Sequence, residues 1–185
     1  EKEQEALTRV YELKALTSQI NPHFLYNTLE TIIWMAEFQD HKKVVEITKA
    51  LSNYFRLSLN AGNELVTLQQ EIEHVRQYLF IQKERYGDKL NYRIDFSEEI
   101  PPIMIPKIVI LPLVENAIYH GIKEIDRPGQ IDITLLKIDE WIEICIADNG
   151  VGMSGKETSS KQLGGIGIKN VTERLKLFFG EAFTM

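Results

Sequence analysis

An α+β fold in two parts is predicted for this 185-residue chain: a helical hairpin over residues 1–62, then over 63–185 a domain whose helices cover one face of a mixed sheet. Three observations carry the prediction. Up to Leu59 the apolar residues recur at three- and four-residue spacing, the period of an amphipathic helix. From Leu90 the period changes to two, with Leu90, Tyr92, Ile94 and Phe96 alternating with polar neighbours as in a half-buried strand. Between them Asn60-Ala61-Gly62-Asn63 breaks the helical pattern.

The elements follow in order. Ala6, Val10, Leu13, Thr17 and Ile20 form a short heptad-like seam, which a lone amphipathic surface helix would also explain. Pro22 interrupts the pattern, yet apolar spacing resumes at Phe24, Leu25, Leu29, Ile32 and Ile33, so a kinked helix is expected to run on to about Phe38. Gln39-Asp40-His41 is a turn, and Val44, Ile47, Leu51, Tyr54, Phe55 and Leu59 mark a second helix antiparallel to the first. One hairpin buries little surface, so a homodimer with a four-helix bundle is expected. Thr67-Leu68-Gln69-Gln70 is a capping box for the next helix, which Gly87-Asp88 ends. Lys107 to His120 is expected to be a mostly buried helix. Two further strands are read at Ile131, Ile133, Leu135 and at Ile142, Ile144, Ile146, joined by Asp139-Glu140. Ser154 to Leu163 is polar and aperiodic, and Ile168 to Phe179 is the last expected helix.

Composition excludes several classes of function. A hydrophobic content of 44% fills a core, and a net charge of −6 argues against a nucleic-acid partner, whose phosphates demand a basic surface. Cys145 is the only cysteine, so there is neither a disulfide framework nor a cysteine metal site. No run of about 18 apolar residues is available to span a membrane. The chain begins at Glu1 inside a charged helical pattern, which reads as a fragment with its natural start upstream.

The residues that carry chemistry lie in four segments. Asp148-Asn149-Gly150-Val151-Gly152 follows a strand; Asp148 suits an adenine amino group, and Gly150 and Gly152 let backbone approach a ligand closely, although Asp-Asn-Gly alone is equally a simple turn. Gly164, Gly165 and Gly167 are expected just before a helix, where free amides suit phosphate oxygens. In the 107–120 helix Asn116 offers an amide oxygen, a hard ligand suited to Mg²⁺ carrying a triphosphate, and Glu115 beside it suits a metal-bound water or a base; a buried structural Glu-Asn network is the alternative. His23, in Asn21-Pro22-His23-Phe24-Leu25-Tyr26-Asn27, is by itself one histidine on a helix, packed or solvated as readily as reactive. A neutral imidazole offers a nucleophilic nitrogen at cellular pH.

Taken together, Gln19-Ile20-Asn21-Pro22-His23-Phe24-Leu25-Tyr26-Asn27, Pro112-Leu113-Val114-Glu115-Asn116-Ala117, and Ile166-Gly167-Ile168 with Asn170 and Arg174-Leu175 resemble the LytS/YesM-type sensor histidine kinases of two-component systems, over nearly the whole chain. The resemblance implies a dimeric kinase core: the hairpin as a four-helix bundle, then a Bergerat-type (GHKL) α/β-sandwich that binds ATP. His23 would be autophosphorylated and would pass the phosphoryl group to an aspartate of a response regulator. Asn116 would bind Mg²⁺, with Glu115 beside it. His120 would lie near the phosphates, with helix capping before Gly121 as the bland alternative. Asp148 would contact adenine, and Gly150, Gly152, Gly165 and Gly167 would shape the pocket and its lid. An upstream membrane-anchored sensor is implied, with this chain as its cytoplasmic portion.

Two departures from the family pattern stand out. Many histidine kinases carry a carboxylate directly after the phosphoacceptor, where this chain has Phe24. The general base is therefore unassigned; Glu30, two turns along roughly the same face, is one candidate, and Asn27 at i+4 is expected to orient a water for dephosphorylation. The chain also stops at Met185, before the further strands such a sheet gains, so the second domain is expected to be C-terminally incomplete. The competing readings are a GHKL ATPase or serine kinase without histidine chemistry, and a non-catalytic module that dimerises and senses nucleotide.

Overall fold

The computed structural model describes residues 21–123, 125–152 and 161–185, with backbone alone for 161–166. The heptad seam before Asn21 and the polar stretch 153–160 lie outside the described residues.

Helix α1 spans Pro22–Glu37. Asn21 is extended (φ −73°, ψ 104°), as a residue before proline prefers, and its Oδ1 accepts from the Phe24 amide at 3.2 Å. Proline at the first helical position gives up an amide that has no intrahelical partner anyway. Pro22 therefore begins this helix, and the upstream half of the expected kinked helix lies outside the described residues. Gln39 turns the chain at φ 58°, Asp40 caps the Lys43 amide at 3.1 Å, and α2 runs over His41–Leu59. The antiparallel hairpin is as expected from the sequence.

Asn60, Ala61 and Gly62 all take positive φ. A three-residue strand follows, β1 (Leu65–Thr67), and then α3 over Leu68–Tyr86. The capping box is present: Thr67 Oγ1 accepts from the Gln70 amide at 3.1 Å, and Gln70 Oε1 from the Thr67 amide at 2.9 Å. Strand β2 (Leu90–Phe96) matches its predicted alternation; β3 (Met104–Pro106) pairs antiparallel with β1, Val66 opposite Ile105. That small pairing was not foreseen, because three residues are too few to display a period of two.

Helix α4 covers only Leu111–Asn116 and continues as a π turn over Ala117–Ile122. The expected start at Lys107 is corrected: Ile108 stands at φ 57°, outside helical space, so the helix begins only after it. Strands β4 (Gly129–Ile138) and β5 (Trp141–Asp148) complete a sheet ordered β2-β4-β5, parallel then antiparallel, with Ile94, Ile133 and Ile146 in register. Helix α5 spans Lys161–Phe179. It starts before the expected Ile168, so Gly164, Gly165 and Gly167 lie inside its first turns; glycine in a helix costs only about 1 kcal/mol relative to alanine, and flanking residues outvote it.

One core runs from Phe24 of α1 through Ile47, Leu79, Ile118 and Ile133 to Val171 of α5. Phe24 stacks on Tyr54 of α2 at 4.7 Å and on Tyr78 of α3 at 5.1 Å, so the hairpin and the following helix share an aromatic cluster. Beside it His74 is buried, 4.6 Å from the Tyr54 ring, and 2.7 Å by its Nε2 from Ser58 Oγ. The Ser58 hydroxyl donates to the Tyr54 carbonyl at 2.9 Å, so it accepts from His74, which is neutral with its proton on Nε2.

Burial pushes the His74 pKa down to about 4. The unfolded chain then binds a proton that the folded chain refuses, and stability present above pH 6.5 is lost as pH falls. A loss of about 3 kcal/mol is expected between pH 6.5 and about 4. Denaturant unfolding followed across that range measures it, and His74→Gln, which still donates to Ser58, is expected to flatten the curve. An unchanged slope in that variant would locate the acid sensitivity elsewhere.

Candidate functional site

The site grows from α4. Its last turn presents Glu115 and Asn116, both half-buried. Burial raises the Glu115 pKa and Asn21 partly offsets it; the same carboxylate raises the Tyr54 and Tyr78 hydroxyls, which are already pushed up by burial.

His23 is exposed on the first turn of α1. The Asn27 amide nitrogen lies 3.0 Å from its Nδ1 and 3.2 Å from its Nε2. An in-plane donor serves one ring nitrogen at a time, so near-equal distances place the amide over the imidazole face. The in-plane lone pair is left open to an electrophile. Glu30 is exposed further along α1, and no hydrogen bond joins it to His23 among the described residues.

The second wall of the site is the loop after β5. Asp148 Oδ1 accepts from the Gly150 amide at 2.9 Å, and the Val151 amide donates to the Gly121 carbonyl at 3.2 Å. The loop rests directly on the π turn: a Cβ on Gly150 would stand 2.3–2.4 Å from Gly121 backbone atoms, and one on Gly121 would stand 2.6 Å from Asp148 Oδ1. Asn149 locks the loop to β4, accepting from the Gln130 amide at 2.8 Å and donating to the Pro128 carbonyl at 3.2 Å. Gly152 stands at φ 72°, with none of the described residues within 4 Å of where a Cβ would lie. The fold therefore brings Glu115, Asn116, the exposed His120 and the Asp148–Gly152 loop to one end of α4. Gly165 and Gly167, expected to join them, lie on α5 within helix.

Among the described residues no cluster of three or more His, Cys, Asp or Glu could cage a metal. Mg²⁺ does not require one: it keeps its waters and takes one or two hard oxygen donors plus substrate phosphates. The half-buried Asn116 amide, with Glu115 beside it, fits that demand.

Sequence reasoning missed Glu71 and gave Arg174 no role. Glu71 is buried on α3 and accepts three backbone amides from the segment that enters α4. Burial raises its pKa, while those amides and Arg174 oppose the rise. The one available signal was a glutamate on the apolar stripe of a helix, next to Ile72 and one turn before Val75.

Comparison with known proteins gives the family. Residues 11–90 match the histidine kinase family model. The chain is 39% identical over 181 residues to the sensor histidine kinase YesM of Bacillus subtilis, covering 98% of this chain and 31% of YesM. It is 35% identical to the sensor protein LytS of Streptococcus mutans (97% of this chain, 32% of LytS) and 34% identical to the sensor histidine kinase BtsS of Escherichia coli (97% and 31%). It thus spans about a third of the length of these relatives. Among the described residues no helix is long and apolar enough to cross a membrane. With the histidine segment, the Glu-Asn helix and the glycine loop placed as above, the chain belongs to the LytS/YesM-type histidine kinases.

Proposed function

We propose that this chain is the kinase core of a two-component sensor, moving the γ-phosphoryl group of Mg·ATP to His23 and from there to an aspartate of a response regulator. The observation that carries the reading is a shared core: Phe24, next to His23, packs on Tyr54 and Tyr78 and is buried in one cluster with Leu111 and Val114 of the helix that bears Glu115 and Asn116. Acceptor segment and nucleotide helix thus contribute to one core within one chain. In the reaction the imidazole lone pair attacks the γ-phosphorus as its bond to the ADP oxygen breaks. Asn116 would hold Mg²⁺, which neutralises phosphate charge when bound; His120 and the Asp148–Gly152 loop would flank the nucleotide, and Gly165 and Gly167 would belong to its lid. The catalytic contribution is positioning and electrostatics.

On this reading residues 1–62 form the dimerisation and phosphoacceptor part, and 63–185 a Bergerat-type nucleotide domain. Support for a homodimer comes from α1, whose Tyr26, Leu29, Ile33 and Trp34 are apolar and exposed, as is Phe38 at its C-cap. An upstream membrane sensor would supply the signal, with this chain in the cytoplasm.

The test is incubation with γ-labelled ATP and Mg²⁺. Acid-labile, alkali-stable label that disappears with chelator is expected. Acid-stable label, or none in a chain that binds ATP, would refute histidine phosphorylation by this core.

A further inference from the structure

Helix α4 begins without a cap of its own, because Ile110 before it carries no polar side chain. Its entry is held from outside. Glu71 Oε1 accepts from the Ile108 amide at 2.5 Å, and Oε2 from the Val109 and Ile110 amides at 2.9 and 3.1 Å. The carbonyls of the same segment are held by Arg174, which donates to Lys107 at 2.9 Å and Ile108 at 3.2 Å. Ile108 stands at φ 57°, a region that β-branched residues avoid, so the segment is kept in a shape it would not choose alone. Glu71 is only 2% exposed, and no solvent competes for its oxygens.

We propose that Glu71 is a positioning residue for α4: its carboxylate fixes where the helix starts and thereby where Glu115 and Asn116 stand. The proposal rests on the reading of Asn116 as the Mg·ATP ligand. Glu71 does not reach the nucleotide; it acts through the backbone of Ile108–Ile110. One turn along the same helix, His74 is bonded to Ser58 of α2. The helix that sets α4 is thus itself tied to the phosphoacceptor hairpin.

Glutamine separates this role from simple space-filling. It matches glutamate in shape but has one accepting oxygen and a donating NH₂, which would face an amide donor. Two readouts are made on the intact chain: amide hydrogen exchange through 108–118, and affinity for a non-hydrolysable ATP analogue with Mg²⁺. Glu71→Gln is expected to speed exchange at Ile108–Ile110 and on into Leu113–Ile118, and to weaken the analogue on the order of 10-fold. Arg174→Lys, which keeps the charge but loses the fork on two carbonyls, is expected to do the same to a lesser degree. Glu73→Gln, on the exposed face of α3, is expected to change neither. Faster exchange confined to 108–110 with unchanged affinity would overturn the proposal. If Glu71→Gln does not fold, Glu71→Asp and Arg174→Lys carry the same comparison, and wild-type affinity in both overturns it. If the wild type itself binds no analogue, the reading of Asn116 fails separately, and exchange at Leu113–Ile118 alone decides for or against Glu71.

Discussion

Replacing His23 with alanine is expected to abolish acid-labile phosphate on the chain while leaving fold and nucleotide binding intact. His23 is exposed, and among the described residues the one side chain within hydrogen-bonding distance of it is Asn27. Removing an exposed side chain of this kind changes stability by about 0.5 kcal/mol or less, and alanine is the better helix former. No nucleotide contact is lost, because the proposed ATP ligands are on α4 and after β5. The measurement is label from γ-labelled ATP, with a thermal melt and analogue binding as controls. Equal label in the variant would move the acceptor to another residue. Asn27→Ala serves as the contrast: with its amide over the ring gone, the variant is expected to keep autophosphorylation and to dephosphorylate more slowly, and parallel loss of both would contradict a role in orienting water.

Gly150→Ala is expected to cost more than any other single added methyl group in the loop. The new Cβ would lie 2.3–2.4 Å from Gly121 backbone atoms, and backbone, unlike a flexible side chain, has no rotamer into which it can withdraw. Overpacking of this kind costs about 1–3 kcal/mol, at the upper end where main chain must shift. The shift would carry Asp148 away from the π turn and weaken ATP binding as well. Gly152→Ala is the control. There the added carbon meets nothing within 4 Å among the described residues, and the expected cost is that of the positive φ, roughly 1 kcal/mol. Melting temperatures and ATP affinities of the two variants make the comparison; Gly150→Ala no worse than Gly152→Ala would mean the loop does not bear on Gly121 as described.

The hairpin, the capping box at Thr67 and Gln70, and the alternation in β2, β4 and β5 were legible in the sequence because each is a local pattern repeated over several residues. The pairing of β1 with β3 was not, since Val66 and Ile105 are buried by each other and neither segment is long enough to show a face. The length of α4 was misread for a related reason. The apolar run from Ile108 looks helical by composition, but its first amides are taken by Glu71, 37 to 39 residues earlier, a contact no local rule can find. The motif residues were legible as a set, and their grouping at one end of α4 came from the structure. Gly165 and Gly167 show the limit: a glycine-rich stretch announces backbone freedom without saying which conformation is adopted.

The two attachments of α3 also decide how such kinases can be recombined. A chimera joined in the 60–64 turn keeps Glu71 with the 108–110 amides but gives His74 a foreign partner in place of Ser58. A junction after Tyr86 does the reverse, keeping the hairpin contact and changing the partner of Glu71. No cut on either side of this helix preserves both, so exchange of sensor-side and nucleotide-side modules requires a matched residue at position 58 or at the entry to α4. The linking helix is a shared part, and belongs to neither module alone.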